Sequence, residues 1–427
     1  MSTAGGRPPL SRRAFLGTAA LGTAVVGGAA AGGIRLASGR GDEGDAPDPD
    51  PPRGFRGYHQ IGVLERPAPH GLLAAFTCVD GDRAALAETF RGLSLELESL
   101  MSGRVPAETD PELPPPDSGV LTEVTDPGLM ATVSVGASLF DGRYGLAERK
   151  PAELVTMPFL ANDRLDPARS HGDVLLALQG KEPDVCVHAL RRVMRRTRSG
   201  LVLHWMQDTF TRPDAKPKVG QTQSRNLMGF KDGTANPDAS DEALMNTLVW
   251  TSTSDAAQGA AGREPTWTVG GTYQVVRLIR MMVERWDRAS LDEQQAIFGR
   301  HKVTGAPLSG QHEADTPVYA DDPEGKRIPL TAHIRLANPR DARTKDKVLV
   351  RRGMSYSRGM DKAGLLDQGL AFVSYQRRLS HFLEANERLR GEPLEEYVRP
   401  EGGGFFYVLP GVVEIDDWLG RSLLSPT

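Results

Sequence analysis

Cysteine is almost missing: Cys78 and Cys186 are the 2 in 427 residues. With no CxxC, thiolate zinc sites and dithiol redox chemistry have no foothold. Each thiol sits in an apolar stretch, AAFTCVD or PDVCVHAL, that reads as a buried strand. Two small buried thiols are the expectation, with a single disulfide as the other arrangement. Histidine is sparse at 9 residues. None makes an HxH or HxxxH pair, so a multi-histidine metal centre lacks support. Neither GxSxG nor GxxxxGKS/T occurs, and no GxGxxG joins a strand pattern to a helix pattern, which argues against hydrolase, phosphate-loop and dinucleotide folds. Charge of one sign is lacking as well: 51 Lys plus Arg against 55 Asp plus Glu leave −4, unlike a nucleic-acid binder or an acidic disordered chain. What is present, 39% hydrophobic and 25% charged residues, is the composition of a globular protein long enough for two or three domain-sized units. The 47 Gly and 31 Pro point to many turns and long surface loops.

The first 40 residues carry arginines and no acid, and 14 to 37 are mainly Ala, Gly, Leu, Val and Thr. A charged start followed by a weakly apolar run is the pattern of an export signal. Ser11-Arg12-Arg13-Ala14-Phe15-Leu16 resembles the twin-arginine consensus. Residues 1–40 are therefore expected to be a twin-arginine signal peptide, with small residues for cleavage at Ala29-Ala30-Ala31 and too much Gly and Ala for a good membrane anchor. Cleavage there removes Arg7, Arg12 and Arg13 and shifts the charge from −4 to −7. That route carries folded proteins, usually because a cofactor is inserted first, so a cofactor is to be sought and a periplasmic or extracellular location expected. Residues 41–55, beginning GDEGDAPDPDPPRG, read as a flexible linker.

Beyond the linker, apolar runs alternate with amphipathic stretches. Strands are expected at 71–80, 131–140, 173–180 and 201–210, and helices at 82–101 and 183–200. The order strand, helix, strand, strand, helix, strand is that of a ferredoxin-like unit with its helices on one face of an antiparallel sheet. A second set follows: strands at 273–286, 347–353, 370–378 and 402–411, and helices at 290–301, opened by a Ser290/Glu293 capping box, and 380–391. The fold class is α+β, two tandem ferredoxin-like units with antiparallel sheets, spanning 56–215 and 216–427.

Three segments carry chemistry: Gly229-Phe230-Lys231-Asp232-Gly233-Thr234-Ala235-Asn236-Pro237, Ala332-His333-Ile334-Arg335-Leu336-Ala337-Asn338-Pro339-Arg340, and Leu349-Val350-Arg351-Arg352-Gly353. GxxDG alone is a weak signal. Joined to a histidine in HIRLANPR and an arginine 18 residues beyond it, the set resembles the dye-decolourising peroxidases, in particular their twin-arginine-exported subgroup of deferrochelatase/peroxidases. The resemblance also takes in the tandem pattern and the closing GGGFFYVLPG.

The resemblance implies one haem b per chain, bound mainly by the C-terminal unit. His333 is its axial ligand, since a neutral imidazole holds iron on one side and leaves the other open; by itself, such a histidine reads more simply as a core residue. Asp232 is the base that moves a proton between the two oxygens of hydrogen peroxide, although Asp-Gly is commonly just a turn. Arg351 is the cation that stabilises charge on the departing oxygen, with Arg352 alternating to the other face of its strand to meet solvent or a loop. Gly233, Thr234 and Ala235 are expected to line the haem, and Asn338, Pro339 and Arg340 to meet it on the histidine side. Arg340 would pair with a propionate, with Arg335 as its competitor. Phe405 and Phe406 are expected in the core. The electron donor would be a bulky aromatic or dye-like reductant acting through surface Trp or Tyr, with Trp267, Trp286, Tyr356 and Tyr375 among those available. Iron release from haem within an iron-uptake system, and non-catalytic haem carriage, are the alternative functions.

Overall fold

The computed structural model describes residues 54–104, 110–121, 124, 126–212, 224–256 and 263–425. The expected leader, and the linker as far as 53, lie outside these residues. Phe55, assigned to the linker, already packs on the core, and Arg56 beside it bonds Glu98 at 2.7 Å.

The first half follows the expected order: β1 (His70–Cys78), α1 (Arg83–Met101), β2 (Met130–Gly136), β3 (Val174–Gly180), α2 (Pro183–Arg196) and β4 (Leu201–Phe210). Asp82 starts α1 by accepting from the Ala85 backbone N–H at 2.8 Å. The second half holds α3 (Glu242–Leu248), β5 (Thr272–Met281), α4 (Val283–Trp286), α5 (Leu291–Phe298), α6 (His333–Ala337), β6 (Val350–Arg351), β7 (Met354–Met360), β8 (Leu366–Gln376), α7 (Leu379–Leu389), β9 (Val398–Val408) and α8 (Arg421–Leu424).

The two sheets are not separate. The strands run β5-β9-β2-β3-β1-β4-β7-β8-β6, and β5 also pairs with β8. Each half keeps the ferredoxin order, β2-β3-β1-β4 and β7-β8-β5-β9. They join where Gly136 of β2 meets Phe406 of β9 and where Phe210 of β4 meets Ser355 of β7. The ring so closed removes the open edges that two separate sheets would expose.

Closure buries both faces of most strands, which is why GLLAAF, VLLAL and FFYVL read as unbroken apolar runs. Leu73, Ala75, Leu175, Val276, Val373 and Phe406 belong to the cluster inside the ring. In the first half the opposite face, with Leu72, Phe76 and Leu176, packs beneath Leu86, Phe90 and Leu93 of α1 and Val185 and Val193 of α2. Phe405 and Phe406 fill the core as expected. Cys78 ends β1, whereas Cys186 lies in a helix, α2; both are buried free thiols.

Several boundaries differ from expectation for physical reasons. The strand expected at 131–140 stops at Gly136, where a Cβ would lie 2.0 Å from the Gly172 carbonyl oxygen, and a 3₁₀ turn follows. The run at 273–286 breaks after Met281 into α4. The strand expected at 347–353 shrinks to β6 and resumes as β7, whose sequence MSYSRGM has no apolar run to announce it. Both parts pair with β8 in one register, Arg351 opposite Ser374 and Met354 opposite Ala371. Ser290 caps α5 by accepting from the Glu293 N–H at 3.2 Å, but the box is half made: the Glu293 carboxylate accepts from the Tyr397 hydroxyl at 2.9 Å instead.

Candidate active site

In the second half the helix-facing side of the sheet is left open. Arg277, Ile279 and Met281 of β5 and Leu370 and Phe372 of β8 alternate with residues of the ring interior and line a cavity of about 240 Å³. A neighbouring cavity of about 170 Å³ shares His333, Arg300, Arg351 and Phe372 with it. Met228, Phe230, Phe298 and Leu394 make the wider cavity largely apolar, with a few polar groups converging.

His333 is the first residue of α6 and lines both cavities. Its Nδ1 lies 2.8 Å from Oε2 of Glu392, a carboxylate only 7% exposed. An ionised carboxylate only accepts, so the proton of this bond sits on Nδ1 and the Nε2 lone pair is left available. Burial lowers the imidazole pKa, but the charge and hydrogen bond of Glu392 outweigh it, so the net shift is upward. No cluster of three or more His, Cys, Asp or Glu able to hold a metal occurs among the described residues, so a metal here would need ligands from a cofactor as well.

Asp232 sits on a tight loop whose flanking glycines, Gly229 (φ 86) and Gly233 (φ 94), adopt the left-handed conformation that L side chains avoid. That is the physical content of GxxDG. The Asp232 N–H donates to Ser224 at 2.8 Å, and the Arg225 guanidinium donates to the carbonyls of Gly229, Lys302 and Val303 at 2.8, 2.6 and 2.7 Å. Glu313 binds both sides of Asp232, accepting from Thr234 Oγ1 at 2.8 Å and from Lys231 Nζ at 3.0 Å. Arg351 Nη1 reaches Asp232 Oδ1 at 3.5 Å, a loose pair with side chains 30% and 26% exposed.

Of the expected site residues, Asp232, Gly233, Thr234, Ala235, His333 and Arg351 line the first cavity, and Asn338 and Arg340 line the second. Pro339 lines neither. Arg335 lines neither cavity as well. Two residues on from His333, a helix turns it by roughly 200°, and it donates to the carbonyls of Ile328 and Asp322 at 3.0 and 2.8 Å, stacking over Tyr319. Arg352 does alternate away from Arg351, and of the two settings expected for it, solvent or a loop, it takes the loop: it is buried and donates to the Leu64 carbonyl at 3.3 Å.

Three contributors were not expected. Glu392 orients His333. Arg300, buried on both cavities, donates to the backbone of Gly305 and Glu313; its pKa is lowered by burial and by the nearby Arg351 charge. Tyr319, whose hydroxyl donates to the Ile334 carbonyl at 3.1 Å, is the one Tyr or Trp lining either cavity among the described residues. Trp267, Trp286, Tyr356 and Tyr375 are buried elsewhere. No signal in GRHKVTG, TPVYADD or GEPLEEY marks these three positions.

The donor set suits haem: one imidazole nitrogen for iron, apolar walls for a flat macrocycle, and exposed Arg340 at the second cavity for acidic substituents. Comparison with known proteins agrees. Residues 60–211 match the family model for Dyp-type peroxidase, N-terminal, and residues 223–413 that for Dyp-type peroxidase, C-terminal. The deferrochelatase of Escherichia coli O157:H7 is 48% identical over 373 residues, covering 87% of this chain and 86% of that protein. Ferric DtpA from Streptomyces lividans superposes with a TM-score of 0.76 at 31% identity, over 88% of this chain and 97% of that one. A Dyp-type peroxidase from Cellulomonas bogoriensis gives 0.76 at 32% identity, over 88% and 99%. The chain belongs to the Dyp-type peroxidase family of haem enzymes.

Proposed function

We propose that this peroxidase works at the cavity of its C-terminal half, with one haem b per chain held by His333 and with Asp232 and Arg351 acting on hydrogen peroxide. The observation that carries this reading is the convergence of three segments distant in sequence on one largely apolar cavity. Haem supplies the iron at which peroxide is reduced and the oxidising equivalents are stored. His333 offers Nε2 to that iron, while Glu392 holds the Nδ1 proton and fixes the plane of the ring. Asp232 takes a proton from peroxide and returns it to the departing oxygen. Arg351 sets a permanent positive charge beside the charge that develops there. Gly233, Thr234 and Ala235 form the wall beside Asp232. Asn338 and Arg340 bound the second cavity, where Arg340 receives a propionate. The electron donor is an aromatic or dye-like molecule. Haem-loaded protein should bleach a sulfonated anthraquinone dye only when peroxide is added; no peroxide-dependent bleaching would contradict the reading.

Relatives 48% identical carry the name deferrochelatase, which favours a second reading in which the same cavity releases iron from haem and feeds an iron-uptake system. Metal-free porphyrin fluorescence appearing in step with iron loss separates the two activities. The twin arginines further support export to the periplasm or beyond through the twin-arginine machinery. Arg12→Lys with Arg13→Lys should strand folded, haem-loaded precursor in the cytoplasm; normal export of that variant would point to the general secretory route.

A further inference from the structure

Arg351 is presented by the shortest strand of the sheet. β6 has two residues and is bonded to β8 along one side. In an antiparallel ladder, successive residues turn their backbone N–H and C=O to opposite neighbours. The Arg352 N–H takes the β8 side, donating to the Val373 carbonyl at 2.7 Å, so both polar groups of Arg351 face away from β8. The strand that would meet them is β4, but it ends at Phe210, opposite Ser355. Among the described residues no strand runs beside Arg351 on that side.

A side chain fills the gap. Asn236 Nδ2 donates to the Arg351 carbonyl at 2.7 Å, and the Arg351 N–H donates to Asn236 Oδ1 at 3.1 Å. One carboxamide thereby stands in for a neighbouring strand's peptide group. Asn236 is buried and closes the turn after Asp232, its own N–H donating to the Gly233 carbonyl at 2.9 Å. One residue thus ties the backbone of Arg351 to the loop of Asp232.

We infer that Asn236 is a positioning residue for peroxide chemistry, setting the Arg351 guanidinium against the Asp232 carboxylate. An amide is suited to this because it carries donor and acceptor together. Glu313 secures the other flank of the loop through Lys231 and Thr234, whereas Asn236 reaches from the loop to the Arg351 backbone itself. The inference rests on the roles proposed above for Asp232 and Arg351.

The test is a double-mutant cycle on haem-loaded protein. Asn236→Ala should retain haem yet slow the reaction with peroxide by roughly 10- to 100-fold, the usual consequence of misplacing a reacting group by an ångström or less. It should also weaken fluoride binding to the ferric protein, read from the absorption spectrum without turnover. In an Arg351→Leu background the same change should slow the reaction no further, because its effect passes through Arg351. Asn236→Asp, of the same shape, keeps the acceptor for the Arg351 N–H and loses the donor to its carbonyl, and it should fall between wild type and Asn236→Ala. If Asn236→Ala fails to hold haem, the cycle with Asn236→Asp decides in its place. Wild-type rate and fluoride affinity in both Asn236 variants, or full multiplication of the two slowdowns in the double variant, would overturn the inference. An Arg351→Leu protein as fast as wild type would instead remove the proposed role of Arg351 itself.

Discussion

The two halves of the molecule share one strand-helix plan and differ in what lies beneath their helices. In the first half, α1 with 19 residues and α2 with 14 lay Leu86, Phe90, Leu93 and Val193 onto the sheet, and the crevice between Leu100, Leu129 and Val185 is only about 20 Å³. In the second half, α5 has 8 residues and α7 has 11. Between α5 and β6 the chain leaves the plan from 299 to 349 and brings Arg300, Tyr319, His333 and Arg340 to the space a longer helix would have filled. A shared architecture becomes a scaffold in one half and a binding site in the other by leaving a core unfilled and letting one connection supply the polar groups.

Two histidines express that contrast, and changing them should produce the largest effects. His188 of α2 bonds Ser118 at 2.8 Å and lies 3.4 Å from Asp117, partners enough for a structural residue. His333 leaves Nε2 toward a cavity. His333→Ala should abolish the Soret band or leave haem weakly held, whereas His188→Ala should keep full haem content and lose about 1–3 kcal/mol of stability through its unpaired partners. Equal haem content in the two variants would erase the distinction.

Leucines give the next comparison, in denaturant melts of apoprotein. Leu93→Ala, in the filled half, should cost about 2–5 kcal/mol. Leu389→Ala, on the cavity wall, should cost roughly 1 kcal/mol, since the atoms removed are incompletely packed. Comparable losses would mean that the second half is as tightly filled as the first.

The smallest effect concerns the thiols of the filled half. Burial raises the pKa of Cys78 and pushes Cys186 up to about 12. Ellman's reagent at pH 8 should therefore label neither thiol in native protein and both after unfolding. Rapid native labelling would show that this half opens.

Where the chain carries periodicity, the architecture could be read ahead of the structure. DRAALAETFRGLSLELESLM announces α1 because its apolar residues recur at helical spacing, and LVLHWMQDTF coincides with β4. MSYSRGM hid β7 because polar residues alternate there on a strand whose burial comes from neighbours far away in sequence. Ring closure was equally hidden, since the junctions of β2 with β9 and β4 with β7 leave no local trace. The site divides the same way. Asp232, His333 and Arg351 stand out in contiguous motifs, whereas Glu392, Arg300 and Tyr319, and Asn236 although it lies in the first motif, matter through partners brought to them by the fold. Glu392 meets His333 across 59 positions and Asn236 meets Arg351 across 115. Arg335, two residues from His333 in sequence, is carried round the helix toward the Ile328 and Asp322 carbonyls.

The most direct measurement is stopped-flow absorbance after mixing haem-loaded wild type, Asp232→Asn and Arg351→Leu with peroxide. Each variant should retain most of its haem and react about 10² to 10⁴ times more slowly, as when a base or a charge stabiliser is taken from a transition state. Arg351→Leu should be at least as slow as Asp232→Asn, because water can partly replace a proton carrier but not a fixed cation. Wild-type speed in both variants at full haem content would contradict the account and leave the hollow half a haem-binding site without these two residues in its chemistry.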